Sequence, residues 1–170
     1  MLNEKVIALL NDQINKEFYS AYLYLDIANY YIDNDLDGFG NWYTVQAQEE
    51  RDHALLFLRY LQLNGVKVTL EAIDKPAEVF EKHIDPLNAG AKHERYVTSL
   101  IHAIYEAAYE AKDFRTMQFL DWFVKEQLEE EDNADTLVNK YKLFGDDPKS
   151  LYLLDQELAA RVYTAPSLVL

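Results

Sequence analysis

Gln48-Glu49-Glu50-Arg51-Asp52-His53 stands near the middle of a long segment with helical periodicity. On a helix, Glu50 and His53 lie three residues apart on one face, where a carboxylate and an imidazole can converge on one metal ion. Read outward by threes and fours, that face continues as Tyr43, Gln46, Glu50, His53, Phe57 and Tyr60 or Leu61. The row is mainly apolar or aromatic, so it is expected to be buried. An unpaired carboxylate there costs several kcal/mol or stays protonated, and the usual remedies are a hydrogen-bonded partner or a metal. One Glu-x-x-His arises on many helices by chance. The deciding question is whether other helices bring matching intrusions.

Over residues 3–33 the apolar positions Ile7, Leu10, Ile14, Ala21, Tyr24 and Ala28 repeat at helical spacing, and Glu17 takes the one missing place. The polar cluster from Asp33 to Gly38 reads as a turn, so a second helix over 39–64 folds back antiparallel and stops at Gly65. Residues 66–85 then lose the helical period and include Pro76. Fully extended, they span on the order of 60 Å, against roughly 40 Å for the second helix, so the third helix can start at the opposite end of the bundle. Asp85-Pro86 reads as an N-cap followed by proline at the first helical position, opening a helix over 86–112. Its stripe is Gly90, Glu94, Val97, Ile101, Ile104 and Ala108. A fourth helix over 114–144 carries Gln127 and Glu130 in its core stripe, and a shorter one over 148–162 places Leu151, Leu154, Leu158 and Val162 on one side. The expectation is an all-α chain: an antiparallel four-helix bundle with one long crossover and a short fifth C-terminal helix, the connectivity of ferritin-like bundles.

With 170 residues, 49% of them hydrophobic, the chain can bury one substantial core and reads as a single domain over 1–170. There are no cysteines, which excludes disulfides, thiolate zinc sites and cysteine-ligated iron–sulfur clusters. The opening Met1-Leu2-Asn3-Glu4-Lys5 runs into an amphipathic pattern and resembles neither a signal peptide nor a membrane span, so a cytoplasmic location is expected. A formal charge of −14 disfavours nucleic acid and anionic membranes as partners and favours cations.

Antiparallel packing brings Glu17, Glu50 with His53, Glu94, and Gln127 with Glu130 to one level. Oxygen-rich ligation with a single nitrogen suits iron or manganese, and one carboxylate shared by two ions, with Glu50 the candidate, would hold a dinuclear centre. The alternative is a hydrogen-bonded polar layer of protonated acids, for which one histidine offers little neutralisation. Glu49, Glu126 and Glu129 form a neighbouring acidic set, readable as a third metal position or as a solvated face. Tyr24 shares the face of Glu17, as a core tyrosine or as an electron donor beside a redox metal. His83, His93 and His102 have no partners at ligand spacing. The sequence leaves Ala165 to Leu170, apolar for a tail, without an account.

Together these residues resemble a non-haem bacterial ferritin, from Met1-Leu2 to about Tyr163. The motifs that carry the likeness are Glu17 with Tyr24, Ala47-Gln48-Glu49-Glu50-x-x-His53, Lys92-His93-Glu94, and Phe119-Leu120-x-Trp122-x-Val124-x-Glu126-Gln127-x-Glu129-Glu130-Glu131. The resemblance implies that Glu17, Glu50 and His53 bind a first iron, that Glu50, Glu94 and Glu130 bind a second with Gln127 nearby, and that Glu49, Glu126, Glu129 and Glu130 bind a third. It implies oxidation of Fe²⁺ with O₂ or H₂O₂, and storage of the ferric product in a hollow homo-oligomeric shell of 24 subunits. Haem is not expected, because Gln127-x-x-Glu130 stands where haem-binding relatives carry a second Glu-x-x-His, and Arg51 where they carry a haem-ligating Met. Leu128 replaces a His common in bacterial relatives and lies outside the implied ligands. Two rival readings are a non-storage di-iron oxidase or peroxidase and a metal-free helical interaction protein.

Overall fold

The computed structural model describes residues 2–170. Long apolar-periodic stretches with few helix breakers become α1 (Glu4–Ile32), α2 (Asp37–Leu63), α3 (Ile84–Glu110), α4 (Phe114–Phe144) and α5 (Pro148–Leu158). No strand occurs among the described residues, and no helix among them is long and apolar enough to cross a membrane. Helices α1 and α2 pack as one antiparallel pair and α3 and α4 as another. Contacts pairing Tyr31 with His83 and Ser20 with His93 set α1 antiparallel to α3, and those pairing Gln46 with Glu130 and Tyr60 with Thr116 do the same for α2 and α4. Helices α2 and α3 therefore run parallel, which the intervening crossover permits. That segment lies on α1, where the Asn11 side chain donates to Thr69 O at 2.9 Å and accepts from Thr69 N at 2.9 Å, and Asn15 donates to Ala72 O at 2.9 Å.

Most helix ends fall within two residues of the sequence reading; among those that differ, two are set by side chains elsewhere in the chain and one by Asp85 in the helix's own first turn. Helix α2 starts at Asp37 rather than 39, because the buried Asp155 carboxylate of α5 accepts the Phe39 N–H at 3.0 Å and supplies the cap that Leu36 lacks. Gly38 is required at this contact, since a Cβ there would stand 1.7 Å from the Asp155 carbonyl oxygen. Helix α3 starts at Ile84, and Asp85 is not its N-cap. Its carboxylate reaches back to accept the N–H groups of Glu81 and Lys82 at 3.0 and 2.8 Å, leaving Pro86 in the first turn, where the missing N–H costs nothing. Helix α5 ends at Leu158, not 162. The Asn41 side chain takes the carbonyls of Leu158, Ala159 and Arg161 at 3.0 to 3.4 Å, the chain turns away, and Val162 is exposed.

Gly65 does close α2 as expected. At φ 72° it lets its own N–H reach Gln62 O and the Val66 N–H reach Leu61 O, the paired bonds that satisfy the last carbonyls of a helix. Lys112, at φ 54°, makes the same turn after α3 without a glycine.

The core is in two blocks. One holds Leu23, Ile27, Tyr31, Phe39, Leu87, Leu137 and Leu154; the other holds Leu10, Ile14, Phe57, Leu61, Ile101, Leu120 and Phe123. Between them, on all four long helices, lies a layer of buried polar side chains.

Candidate metal centre

Each long helix delivers one turn to this layer. On α1, Glu17 is 1% exposed; its Oε1 accepts the Gln13 amide at 2.7 Å, and its Oε2 meets no hydrogen-bond partner. On α2, Glu50 Oε2 lies 3.4 Å from His53 Nδ1, and its Oε1 accepts the Gln46 amide at 3.1 Å. The same Gln46 nitrogen reaches Glu130 Oε2 on α4 at 2.8 Å. On α3, Glu94 accepts the Tyr24 hydroxyl through Oε1. Gln127 of α4 donates to the Glu94 backbone oxygen and to its Oε2, both at 3.3 Å, and lies 3.2 Å from Thr98 Oγ1.

Ligand atoms of Glu17, Glu50 and His53 all lie within 4.8 Å of one another, and so do those of Glu50, Glu94 and Glu130. Glu50 belongs to both groups, the arrangement a carboxylate shared by two ions requires. A third group joins His53, Glu126 and Glu130. Glu49 and Glu129 are not drawn into it. Glu49 is held by Arg161 Nη2 at 2.6 Å, and Glu129 is exposed; both line a chamber of about 460 Å³ whose walls include His53, Glu126 and Glu130.

Electrostatics separates these acids into two kinds. Burial, followed by the charge of Glu50, raises Glu17 and Glu94 to about 8, and burial followed by the charge of Glu94 raises Glu130 well above the ordinary value. Glu50 goes the other way. Burial opposes its ionisation, but the hydrogen bond and charge of His53, with the Gln46 amide, outweigh it and lower its pKa. For His53, burial favours the neutral ring, but the bond to Glu50 and the charges of Glu50 and Glu17 prevail and raise it to about 10. In the cation-free layer these shifts favour a Glu50–His53 ion pair among acids that hold their protons more tightly than a free glutamate does. Such a layer can exchange protons for hard cations.

Gln13 and Gln46 are site residues that the sequence reading did not assign. Each stands one turn before a buried glutamate, Gln13 before Glu17 and Gln46 before Glu50, and that spacing is the signal that could have found them. Tyr24 is fully buried with its hydroxyl committed to Glu94. Trp122 sets its ring edge-on to His53, centroids 5.5 Å apart, and donates to Ser167 Oγ at 2.9 Å. Of the other histidines, His93 bonds Ser20 at 2.8 Å and His83 bonds Tyr30 at 3.2 Å.

Glu17 belongs to the first ligand group and one of its buried oxygens lacks a hydrogen-bond partner, so the donors fit a hard or borderline divalent cation. A family model described as the ferritin-like domain matches residues 7–144. A bacterial non-heme ferritin of Campylobacter jejuni is 39% identical over 156 residues, covering 92% of this chain and 93% of that protein. One from Staphylococcus saprophyticus is 37% identical over 163 residues, covering 96% and 98%. Among solved structures, an open-pore ferritin of the archaeon Archaeoglobus fulgidus superposes with a TM-score of 0.92 at 42% identity, covering 95% of this chain and 98% of that one. A closed form engineered from the same ferritin gives 0.94 at 41%, covering 96% and 100%. Five helices in this order, a carboxylate–histidine layer across four of them, and relatives aligned over nearly their whole length lead to one conclusion: the chain belongs to the ferritin family.

Proposed function

We propose that this chain, acting as one domain over residues 1–170, oxidises Fe²⁺ at a dinuclear centre and stores the ferric product inside a hollow homo-oligomeric shell, as the names and folds of its relatives suggest. The observation that carries the reading is the pair of ligand groups sharing Glu50 inside an otherwise apolar bundle. Glu17 and His53 would complete one iron position, Glu94 and Glu130 the other, with Glu50 between them. Gln46 and Gln127 position the carboxylates through their amides. Two Fe²⁺ give up two electrons, which with two protons take O₂ to H₂O₂, or H₂O₂ to two waters. The protonated acids of the cation-free layer lose their protons as iron enters, so loading moves positive charge in and out together. Glu126, with Glu49 and Glu129 on the chamber wall, would take oxidised iron beyond the pair. A shell of 24 subunits and a cytoplasmic setting belong to the same reading, supported by the family and by the acidic, cysteine-free composition.

The test is aerobic addition of Fe²⁺ with oxygen consumption and stopped-flow absorbance recorded together. A fast phase of two irons per chain, lost in Glu50→Ala, is the expected result. The same slow kinetics in wild type and variant would remove the dinuclear centre from the mechanism.

A further inference from the structure

After α5 the chain does not leave the molecule. It doubles back over the groove between α2 and α4 and roofs the acidic chamber, which is lined from above by Arg161, Val162, Thr164 to Ser167. Polar and apolar ties hold it there: the Tyr163 hydroxyl on Asp52, the Trp122 indole N–H on Ser167, and Leu168 packed on the core block of Phe57 and Phe123. Arg161 is the anchor. Its guanidinium lies 4.2 Å above the Trp42 ring, donates through Nη1 to Trp42 O at 3.2 Å and through Nη2 to Glu49 Oε2 at 2.6 Å. Both partners of this ion pair are mostly buried, with side-chain exposures of 20% and 18%, so it is screened far less than a surface pair.

The chamber shares His53 and Glu130 with the centre, so a cation passing between the centre and Glu49 passes under this roof. Yet the carboxylate of Glu49 is already taken by a cation of the chain's own. We propose that Arg161 is a built-in counter-cation and that the segment 161–168 it anchors is a strap: a multivalent cation arriving among Glu49, Glu126 and Glu129 displaces the guanidinium, and the strap is released. The inference rests on the cation-handling reading of the centre. Its physical basis is competition for one carboxylate. A single delocalised charge holds Glu49 through one hydrogen bond, whereas a compact ion of higher charge can draw on several carboxylates of the chamber together. Cations are thereby kept out of the chamber until the supply exceeds what the buried pair holds.

Both tryptophans of the chain, Trp42 and Trp122, line the chamber and make it readable by luminescence. With the buried centre first filled by Zn²⁺, followed by calorimetry, Tb³⁺ is titrated and its emission excited through tryptophan. Arg161→Gln is expected to tighten the Tb³⁺ step by about tenfold, because one opposing charge is gone from a partly buried site. Arg161→Lys, which keeps the charge but not the stack on Trp42, should fall between wild type and Arg161→Gln and controls for folding. Backbone hydrogen exchange over 161–168 should speed up as Tb³⁺ binds. Equal Tb³⁺ affinity in wild type and Arg161→Gln, or unchanged exchange at saturation, overturns the proposal. Failure of Zn²⁺ to bind the buried pair would instead overturn the dinuclear reading, and the Tb³⁺ comparison would still decide the role of Arg161.

Discussion

At Glu17 one carboxylate oxygen accepts the Gln13 amide and the other finds nothing, so the residue is costly to the fold unless a proton or a cation completes it. Its folded pKa of about 8 lies above the ordinary 4.5, as does that of Glu94, so folding favours the protonated acids and their ionisation costs stability as pH rises from 4.5 through 8. His53, raised from 6.5 to about 10, contributes fully below 6.5 and loses that contribution as pH rises through 10. The two slopes have one sign. Thermal melts of cation-free protein should therefore show Tm falling between about pH 5 and 9, and saturating Zn²⁺ should flatten or reverse the trend; a cation-free Tm that rises over that range would contradict these assignments. His53→Ala and Glu17→Ala are each expected to slow the fast phase of Fe²⁺ oxidation by at least about tenfold while the assembly keeps its size, which stopped-flow and gel filtration together would check. Glu129→Ala, outside all three ligand groups, should leave that first turnover in place and change the oxygen consumed per iron beyond it. The charged members of the layer were legible because a carboxylate in an apolar stripe has no bland reason to be there. Gln13 and Gln46 were missed although each stands one turn before a buried glutamate, since a neutral amide demands no counter-ion and does not mark a site until it is seen on a buried acid.

At the scale of elements, periodicity located all five helices, whereas two of their ends were decided by residues far away in the chain. Asp155 caps α2 from 116 positions along, and Asn41 ends α5 from 117 to 120 positions before it, so no local signal could have placed either boundary. Asp155→Ala should cost about 1–2 kcal/mol of unfolding free energy by urea titration, the usual loss for an N-cap. Gly38→Ala should cost more and free α5 from α2, visible as faster hydrogen exchange confined to α5, because its methyl group cannot coexist with the Asp155 carbonyl. After α3, the left-handed backbone of Lys112 does by strain what Gly65 does freely after α2. Lys112→Gly is accordingly expected to stabilise the chain by about 0.5–1 kcal/mol in the same urea assay.

At the scale of the whole molecule, storage makes a different demand from catalysis, since a fixed ligand set saturates at about two irons per chain and only an enclosure carries more. Aerobic Fe²⁺ added far beyond that ratio should give soluble ferric mineral co-eluting with an assembly of about half a megadalton, rather than with a 19.8 kDa chain. Iron that stops at two per chain would leave the centre intact and refute storage. The course of residues 161–170 was the part of the molecule least readable from sequence. Its apolar residues follow no period, and the groove that receives them exists only once α2 and α4 have packed. The division of the core into two apolar blocks has a consequence for how the protein comes apart. Across the polar layer the blocks are joined by glutamates, glutamines and a histidine rather than by interlocked hydrocarbon. Without a cation the two ends of the bundle can open as separate cooperative units; ions held as proposed by four helices at once would rivet them into a single one, so the cargo itself would set the grain along which its container yields.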